Sequence, residues 1–291
     1  MDSLRPQKHT QPYSAFRIPH SAFRAGPALI TGGGTGIGRG VALALARRGV
    51  DVALVGRRAG PLAATARAAA AYGVRAVALP ADVADPMVRA ALPDRVRAAL
   101  GPVRILFHCA GVAAGGELGD LADGTLEQAI AVNLSAPLDL TRRLLPDLVA
   151  GRGMVVLLAS ETALVPLPAA AVYSAGKAGL RAAAESLRYE LAPQGVRLLV
   201  VYPPMTATAM TRGMAAAAGL PRFPLAHPAA VGERIVRALE SGRTTLPPTP
   251  GDRLLAWAYT LAPWLVRAVL QSQRTRFRQM FAENQVEGNG D

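Results

Sequence analysis

Three side chains with complementary proton chemistry follow one another in the sequence: Ser160, Tyr173 and Lys177. Tyr173 and Lys177 are spaced as i and i+4 in an alanine-rich segment, and a helix would place them on one face. Because a cation beside a phenol favours the phenolate, we expect Lys177 to lower the pKa of Tyr173 from its usual value of about 10. A tyrosine tuned in this way can donate a proton to a carbonyl oxygen as hydride reaches the carbon. Ser160 would hydrogen-bond the same oxygen.

Each candidate also has an ordinary structural explanation. Pairs like Tyr173 and Lys177 arise by chance on many helices, and Ser160 fits a turn at the end of a strand. Asn133, which lies in a helical pattern, fits a residue bonded to the backbone. What indicates a catalytic set is their joint order on a chain that alternates strands and helices.

A glycine-rich turn, residues 31–38, lies between an apolar run at 27–30 and a helical pattern at 41–48. Glycines let the backbone turn tightly and approach a pyrophosphate, and the N-terminus of the following helix offers free N–H groups and a positive dipole end. A glycine cluster alone also fits a flexible turn. The flanking strand and helix favour a phosphate site.

Beyond this turn the chain alternates between apolar strands and helical patterns. We predict strands at 27–31, 51–55, 74–79, 103–107, 153–159 and 196–202, and helices near 38–48, 60–72, 86–99, 122–150, 173–192 and 228–241. Continuous apolar strands separated by helices are typical of a parallel sheet covered on both faces, with right-handed crossovers. The fold class is therefore α/β, with one doubly wound domain at 27–250.

The end of the second predicted strand bears on the choice of cofactor. In a dinucleotide fold an acidic residue at this place binds the ribose hydroxyls of NAD, whereas an arginine accommodates the 2′-phosphate of NADP. Here Gly56 stands where the acid would be, and Arg57 follows it. We therefore expect NADP(H), although Arg57 and Arg58 also fit surface charges that open the next helix.

The composition of the chain limits the classes of protein and of binding partner that remain possible. The chain has 291 residues, of which 51% are hydrophobic and 18% charged, so a sizeable core is expected. Its net charge of +12 suits a phosphorylated cofactor or an anionic membrane surface, whereas 5% aromatic content and the lack of a nucleic-acid motif argue against nucleic acid. Cys109 is the only cysteine, which excludes an intrachain disulfide and fits a reducing, cytoplasmic setting. No sequence pattern indicates a metal site, a signal peptide or a membrane span.

Residues 27 to about 240 resemble the short-chain dehydrogenase/reductase family. The resemblance lies in the glycine motif, an aspartate that contacts adenine, a short segment after the fourth strand and the catalytic tetrad. The matching positions are Thr31, Gly32, Gly36, Ile37 and Gly38; Asp82 and Val83; Ala110 and Gly111; and Asn133, Ser160, Tyr173 and Lys177. It implies a Rossmann sheet of about seven strands, and dimers or tetramers. It also implies that Lys177 binds the nicotinamide ribose and that Asn133 supports a proton-relaying water chain.

Two segments depart from the family pattern. Both asparagines of its Asn-Asn-Ala-Gly segment are replaced, by His108 and Cys109, and we interpret His108 as structural. The Pro-Gly after the sixth strand reads Pro203-Pro204, and Thr208 still matches the threonine that contacts the nicotinamide amide.

The segment 202–208 and the apolar end of the chain resemble the 3-ketodihydrosphingosine reductases of this family. That resemblance implies a hydrophobic ketone substrate, a 3-keto sphingoid base. The alternatives are a 3-oxoacyl reductase, an alcohol dehydrogenase acting on another small or acyl substrate, and a catalytically silent NADP-binding scaffold at a membrane. A segment rich in methionine, alanine and leucine within 205–231 is a candidate substrate lid.

The two ends of the chain lack the alternation of strand and helix patterns that is present in its middle. Residues 1–26 lack periodicity and are expected to form a flexible tail; a targeting peptide is the alternative. Residues 251–291 form an amphipathic helical tail in which 252–281 combine both tryptophans with five arginines. Such a segment fits peripheral contact with the inner face of a membrane. It equally fits a helix packed on its own domain or on a sister subunit.

Overall fold

Seven short apolar strands form one parallel sheet in the computed structural model, which describes residues 26–217 and 225–282. Their order across the sheet is β3-β2-β1-β4-β5-β6-β7. The central strands are buried at every position, as expected for a sheet covered on both faces. The strands are β1 (Ala28–Thr31), β2 (Val52–Gly56), β3 (Ala76–Pro80), β4 (Ile105–His108), β5 (Met154–Leu158), β6 (Arg197–Val201) and β7 (Thr245–Leu246). The predicted doubly wound α/β fold is confirmed.

Helices cover both faces of the sheet. Residues of α1, α2 and α8 pack on one face, and residues of α3, α5 and α6 on the other. The helices are α1 (Gly36–Ala46), α2 (Ala59–Ala70), α3 (Pro86–Leu100), α4 (Thr125–Ile130), α5 (Ala136–Ala150), α6 (Ala171–Leu191), α7 (Ala209–Ala217), α8 (Pro228–Glu240), α9 (Pro250–Leu261), α10 (Pro263–Ser272) and α11 (Arg274–Ala282).

The order in which the strands are added across the sheet reverses between β1 and β4. Thr31 at the end of β1 is in register with Val55 of β2 on one side and with His108 of β4 on the other. Two strands, β2 and β3, lie on one side of β1, and the four strands β4 to β7 lie on the other side. In open parallel sheets ligands bind outside the carboxyl ends of the strands at such a reversal. The glycine turn and the residues after β4 and β5 all lie at these ends.

The predicted helix 122–150 is wrong in one respect, because it is interrupted. A π-helical turn, Ala131–Ser135, separates α4 from α5. Pro137 has no N–H to donate to the carbonyl of Asn133 four residues earlier, so a regular α-helical pattern cannot continue there. The wider turn carries Asn133, which is buried.

The segment after β6 contains α7, which falls in the candidate lid; residues 218–224 of that lid lie outside the described part of the chain. The proline-rich stretch 246–250 begins inside β7 and ends at the start of α9, so it is a short connection. Thr249 caps α9 in a reciprocal arrangement with Asp252.

The predicted C-terminal tail consists of three helices. In α11, Phe281 is 1% exposed and packs with Met280 against Ala170 and Leu167. Ion pairs from Arg274 and Arg278 tie the same helix to the loop after β4. In contrast, α9 and α10 leave both tryptophans largely exposed. Within the described ranges, no helix combines the length and the apolar character needed to cross a bilayer. The predicted N-terminal tail, apart from Gly26, and residues 283–291 lie outside those ranges.

Candidate active site

The glycine turn provides an open cradle in front of α1. Gly32 and Gly36 adopt φ of +67° and +53°, a left-handed conformation that other residues rarely adopt. A Cβ atom at Gly38 would lie 2.2 Å from the carbonyl oxygen of Gly32, so only glycine fits. No side chain caps α1 and its first turn holds no acidic residue. The N–H groups around Ile37 are therefore available to an anion, and the turn fits a dinucleotide pyrophosphate.

Residues that would contact the adenosine half lie at the ends of β2 and β3. Arg57 is exposed directly after Gly56. An oxygen of Asp82 accepts the backbone N–H of Ala84 at 2.9 Å, which fixes the carboxylate after β3. Val83 beside it is buried. The structure thus brings Arg57 and Asp82 to the same edge of the sheet as the glycine turn.

Hydrogen bonds join the glycine turn to the segment after β4. The hydroxyl of Thr31 donates to the carbonyl of Phe107 at 3.3 Å and accepts the N–H of Ala110 at 3.2 Å. A Cβ atom at Gly111 would lie 3.2 Å from Oδ1 of Asn133 and 3.7 Å from Nζ of Lys177. Gly111 therefore lies directly beside two predicted catalytic side chains.

Asn133 holds this segment in place. Its Oδ1 accepts the N–H of Val112 at 3.2 Å, and its Nδ2 donates to the carbonyl of Val112 at 2.9 Å. This double contact ties the π-helical turn to the loop after β4. Asn133 is therefore satisfied by the backbone, and it lies within the group that also contains Gly111 and Lys177.

Ser160, Tyr173 and Lys177 meet at the end of β5. Ser160 follows the strand and accepts the N–H of Thr162 at 3.2 Å. Lys177 is 5% exposed and donates to the carbonyl of Leu158 at 2.9 Å. Its Nζ lies 5.9 Å from the ring centre of Tyr173, on the same side of α6. The spacing in the sequence therefore brings the three groups together.

The expectation that the pKa of Tyr173 is lowered is wrong for the protein alone. Burial, reinforced by the charge of Glu161, raises the pKa of Tyr173 to about 12, and a hydrogen bond with Ser160 offsets only part of this. Burial also lowers the pKa of Lys177 to about 8. The phenol is thus protonated at neutral pH. Any lowering by Lys177 is outweighed, because desolvation disfavours both charged forms.

His108 and Cys109 are held in neutral forms. Nε2 of His108 lies 3.0 Å from the hydroxyl of Thr141, which itself donates to the carbonyl of Pro137 at 2.7 Å. Burial lowers the pKa of His108 to about 3, and burial raises that of the Cys109 thiol to about 12. His108 is therefore a neutral N–H donor in the core, as its interpretation as a structural residue requires.

The segment after β6 closes the site from the other side. The hydroxyl of Thr208 lies 3.1 Å from that of Thr211. The methyl of Thr208 lies 2.9 Å from the place that a Cβ of Gly36 would take. Pro203 is half-buried just after β6. Thr208 thus faces the glycine turn, where the resemblance places the nicotinamide end of the cofactor.

Sequence reasoning missed Glu161. Its Oε2 lies 3.3 Å from the hydroxyl of Ser160, so a carboxylate lies directly beside the predicted catalytic group. An acidic residue immediately after a buried strand and a candidate catalytic serine was the signal that could have found it. In the described part of the chain, no cluster of histidine, cysteine and acidic side chains could hold a metal ion.

A glycine turn for a dinucleotide beside a buried serine and lysine and a partly buried tyrosine defines a Rossmann-fold oxidoreductase. The family model of the short chain dehydrogenases matches residues 27–218, and the chain belongs to this family.

Two sequence relatives and one solved structure are similar to this chain. Glycine betaine reductase ATRR of Emericella nidulans is 36% identical over 66% of this chain, but this chain spans only 15% of its length. Ketoacyl reductase HetN of Nostoc sp. is 32% identical over 74% of this chain and 76% of its own length. The structure of a short-chain dehydrogenase from Sphingobium yanoikuyae in complex with NADPH is 28% identical, covers 85% of this chain and 95% of its own, and has a TM-score of 0.69.

Proposed function

We propose that the protein is an NADP(H)-dependent reductase that transfers hydride to the carbonyl group of a hydrophobic substrate. The observation that carries this proposal is the convergence of Ser160, Tyr173 and Lys177 at the end of β5, with Lys177 beside Gly111. The NADPH complex of the relative from Sphingobium yanoikuyae supports the choice of cofactor. Arg57, exposed after β2 and without an acidic residue before it, supports the same choice.

The residues of the chain divide the work of the reduction. NADPH, when bound, supplies the hydride. The glycine turn and α1 would bind the pyrophosphate, and Arg57 the 2′-phosphate. Ser160 would orient the carbonyl oxygen, and the Tyr173 hydroxyl would give its proton to that oxygen as hydride reaches the carbon. The raised pKa of Tyr173 suits this direction, because the phenol enters the reaction protonated.

The proposed substrate is a 3-keto sphingoid base, with a 3-oxoacyl chain as the alternative. The resemblance of 202–208 to sphingoid-base reductases supports the first, and the printed name of ketoacyl reductase HetN supports the second. Met214 of α7 and Phe281 of α11 belong to an apolar cluster that also contains Ala170, three residues before Tyr173. Apolar surface close to the reacting groups would suit a long hydrocarbon chain.

Peripheral membrane contact through α9 and α10 is part of the same proposal. These helices expose a concentration of large apolar side chains together with Arg253 and Arg267, and their only acidic residue is Asp252. The apolar side chains are Leu254, Leu255, Trp257, Leu261, Trp264, Leu265 and Val269. Tryptophan, leucine and arginine on adjoining helices favour an anionic bilayer interface.

Turnover tests the chemical part of the proposal. The full chain in detergent micelles is offered NADPH with 3-ketodihydrosphingosine or with a 3-oxoacyl thioester, and NADPH oxidation is followed. Faster oxidation with the sphingoid ketone supports the first substrate, and faster oxidation with the thioester supports the second. Tight NADPH binding without oxidation of either ketone, or of a wider ketone and alcohol panel, would favour the scaffold alternative.

Vesicle binding tests the membrane part. The unaltered chain should sediment with phosphatidylserine-containing vesicles, and a variant with Trp257→Gln and Trp264→Gln should not. Tyr189→Gln is the matched control, because Tyr189 is an exposed aromatic residue on α6, away from these helices. Equal sedimentation of both variants would refute membrane contact through α9 and α10.

A further inference from the structure

The carboxylate of Glu161 lies beside the hydroxyl group that would bind the substrate carbonyl. Its Oε2 is 3.3 Å from the Ser160 hydroxyl, the group that would hold the carbonyl oxygen. The same carboxylate acts on the Tyr173 phenol and raises its pKa. Glu161 therefore contacts the Ser160 hydroxyl, and its charge acts on the second hydroxyl that would flank a bound carbonyl.

Glu161 is exceptional in how its charge is balanced. Other shielded carboxylates in this arginine-rich protein pair with guanidinium groups: Asp139 with Arg89, and Glu233 with Arg48. Within 26–217 and 225–282, no arginine, lysine or histidine forms an ion pair with Glu161. A carboxylate shielded from water is stable when it has a cationic partner.

The surroundings of Glu161 add negative charge. Burial raises the pKa of Glu161, and the charge of Asp252 at the start of α9 adds to this shift. A carboxylate in that position gains most from a cation that arrives with the ligand. The protein as a whole carries a net charge of +12, so the charge at this site is opposite in sign to that of the whole protein.

We propose that Glu161 is a specificity-determining residue that selects carbonyl substrates with a protonated amino group on the carbon next to the carbonyl. The inference rests on the proposed carbonyl reduction. By ordinary bond lengths, such an amino nitrogen lies about 3 Å from the carbonyl oxygen. In the structure the Ser160 hydroxyl donates its proton to Oε2 of Glu161 at 3.3 Å. A carbonyl oxygen that accepts this proton instead brings the amino nitrogen beside the carboxylate, and the ammonium group replaces the bond that Glu161 loses. A 3-oxoacyl chain carries no such cation.

The test compares two long-chain 3-ketones of equal length, one with a 2-amino group and one without it. Purified full-length protein in neutral detergent micelles is assayed with NADPH, and kcat/KM is measured for each. We expect the unaltered protein to prefer the amino ketone by about tenfold to one-hundredfold, the range of one hydrogen bond to a charged group. Glu161→Gln should bring the preference close to one.

Glu190→Gln is the matched control. It removes the same charge from the same region of the chain, but Glu190 is exposed near the end of α6. It should keep the preference of the unaltered protein. Glu161→Gln preserves the shape of the side chain, and its thermal unfolding is compared with that of Glu190→Gln to show that both variants are folded. The inference is overturned if Glu161→Gln keeps the preference, or if the unaltered protein has none.

A binding measurement separates this inference from the proposed function. A long-chain primary amine and the alcohol of the same length are titrated into the protein in complex with NADP by calorimetry. Tighter binding of the amine that disappears in Glu161→Gln supports cation selection even if no ketone is reduced, in which case only the proposed reduction fails. Equal affinity for amine and alcohol overturns cation selection even if both ketones are reduced.

Discussion

Replacing Lys177 by methionine should change the way in which stability depends on pH. Lys177 is 5% exposed, and its ammonium group donates to one carbonyl, that of Leu158 at 2.9 Å. Burial lowers its pKa from 10.5 to about 8. Methionine has a similar length and carries no proton. A comparison of the two proteins therefore isolates the buried charge.

The size and sign of the effect follow from the pKa in each state. Below about pH 8, Lys177 is protonated in both the folded and the unfolded chain, so it adds no pH dependence. Between about 8 and 10.5 the folded chain has released the proton that the unfolded chain still holds, and stability rises with pH. The pKa difference corresponds to about 3 kcal/mol. The unfolding free energy of the unaltered protein minus that of Lys177→Met should rise by this amount.

Urea unfolding followed by far-ultraviolet circular dichroism measures this difference across the pH range. The titration of groups that Lys177 does not act on is common to both proteins and cancels. His108 and Cys109, on which its charge does act, have pKa values of about 3 and about 12, outside this window. The lost hydrogen bond to Leu158 shifts the whole curve without changing its slope. A difference that stays constant within about 1 kcal/mol would refute the reasoning, because it would mean that the ammonium group is hydrated in the folded protein.

Three further substitutions test other parts of the site. Tyr173→Phe should lower turnover by about a thousandfold with NADPH affinity nearly unchanged, as shown by stopped-flow kinetics and fluorescence titration; retained turnover would exclude Tyr173 as the proton donor. Arg57→Ala should weaken NADPH by about tenfold or more and NADH little, because a hydrogen bond between charged groups is lost; equal losses would place the 2′-phosphate elsewhere. A Cβ at Gly115 would lie 2.2 Å from the ring of Phe281, so Gly115→Ala should displace α11 and speed its cleavage by protease; unchanged cleavage would contradict this contact.

Local sequence patterns were sufficient to predict the fold and to place Tyr173 close to Lys177. The strands are apolar, the glycines mark a turn, and the i, i+4 spacing of Tyr173 and Lys177 already places them on one face of α6. Pro263 cannot continue the preceding helix, and α10 begins at this residue. These features depend on residues close in sequence, which is why the sequence alone predicts them.

Most of what was missed depends on distant partners. Pro137 is a local sign of the π-helical turn, but the bond of Asn133 to Val112, which lies 21 positions earlier in the chain, is not readable from the neighbouring residues. The pKa of Tyr173 depends on burial by several elements and on Glu161, and residue spacing reports neither. For the C-terminal tail, the sequence did not decide between membrane contact and packing on the protein. The structure shows that α11 packs on its own domain, whereas contact of α9 and α10 with a membrane stays a prediction.

The contact between α11 and the loop after β4 limits which segments of this protein can be exchanged with those of a relative. Phe281 fills the space that a side chain at Gly115 would occupy, and Arg274 pairs with Glu117 two positions further on. That loop begins at Gly111, beside Asn133 and Lys177. The C-terminal helices are therefore not an interchangeable module. A chimera that joins them to another family member would need the loop of 111–120 transferred with them.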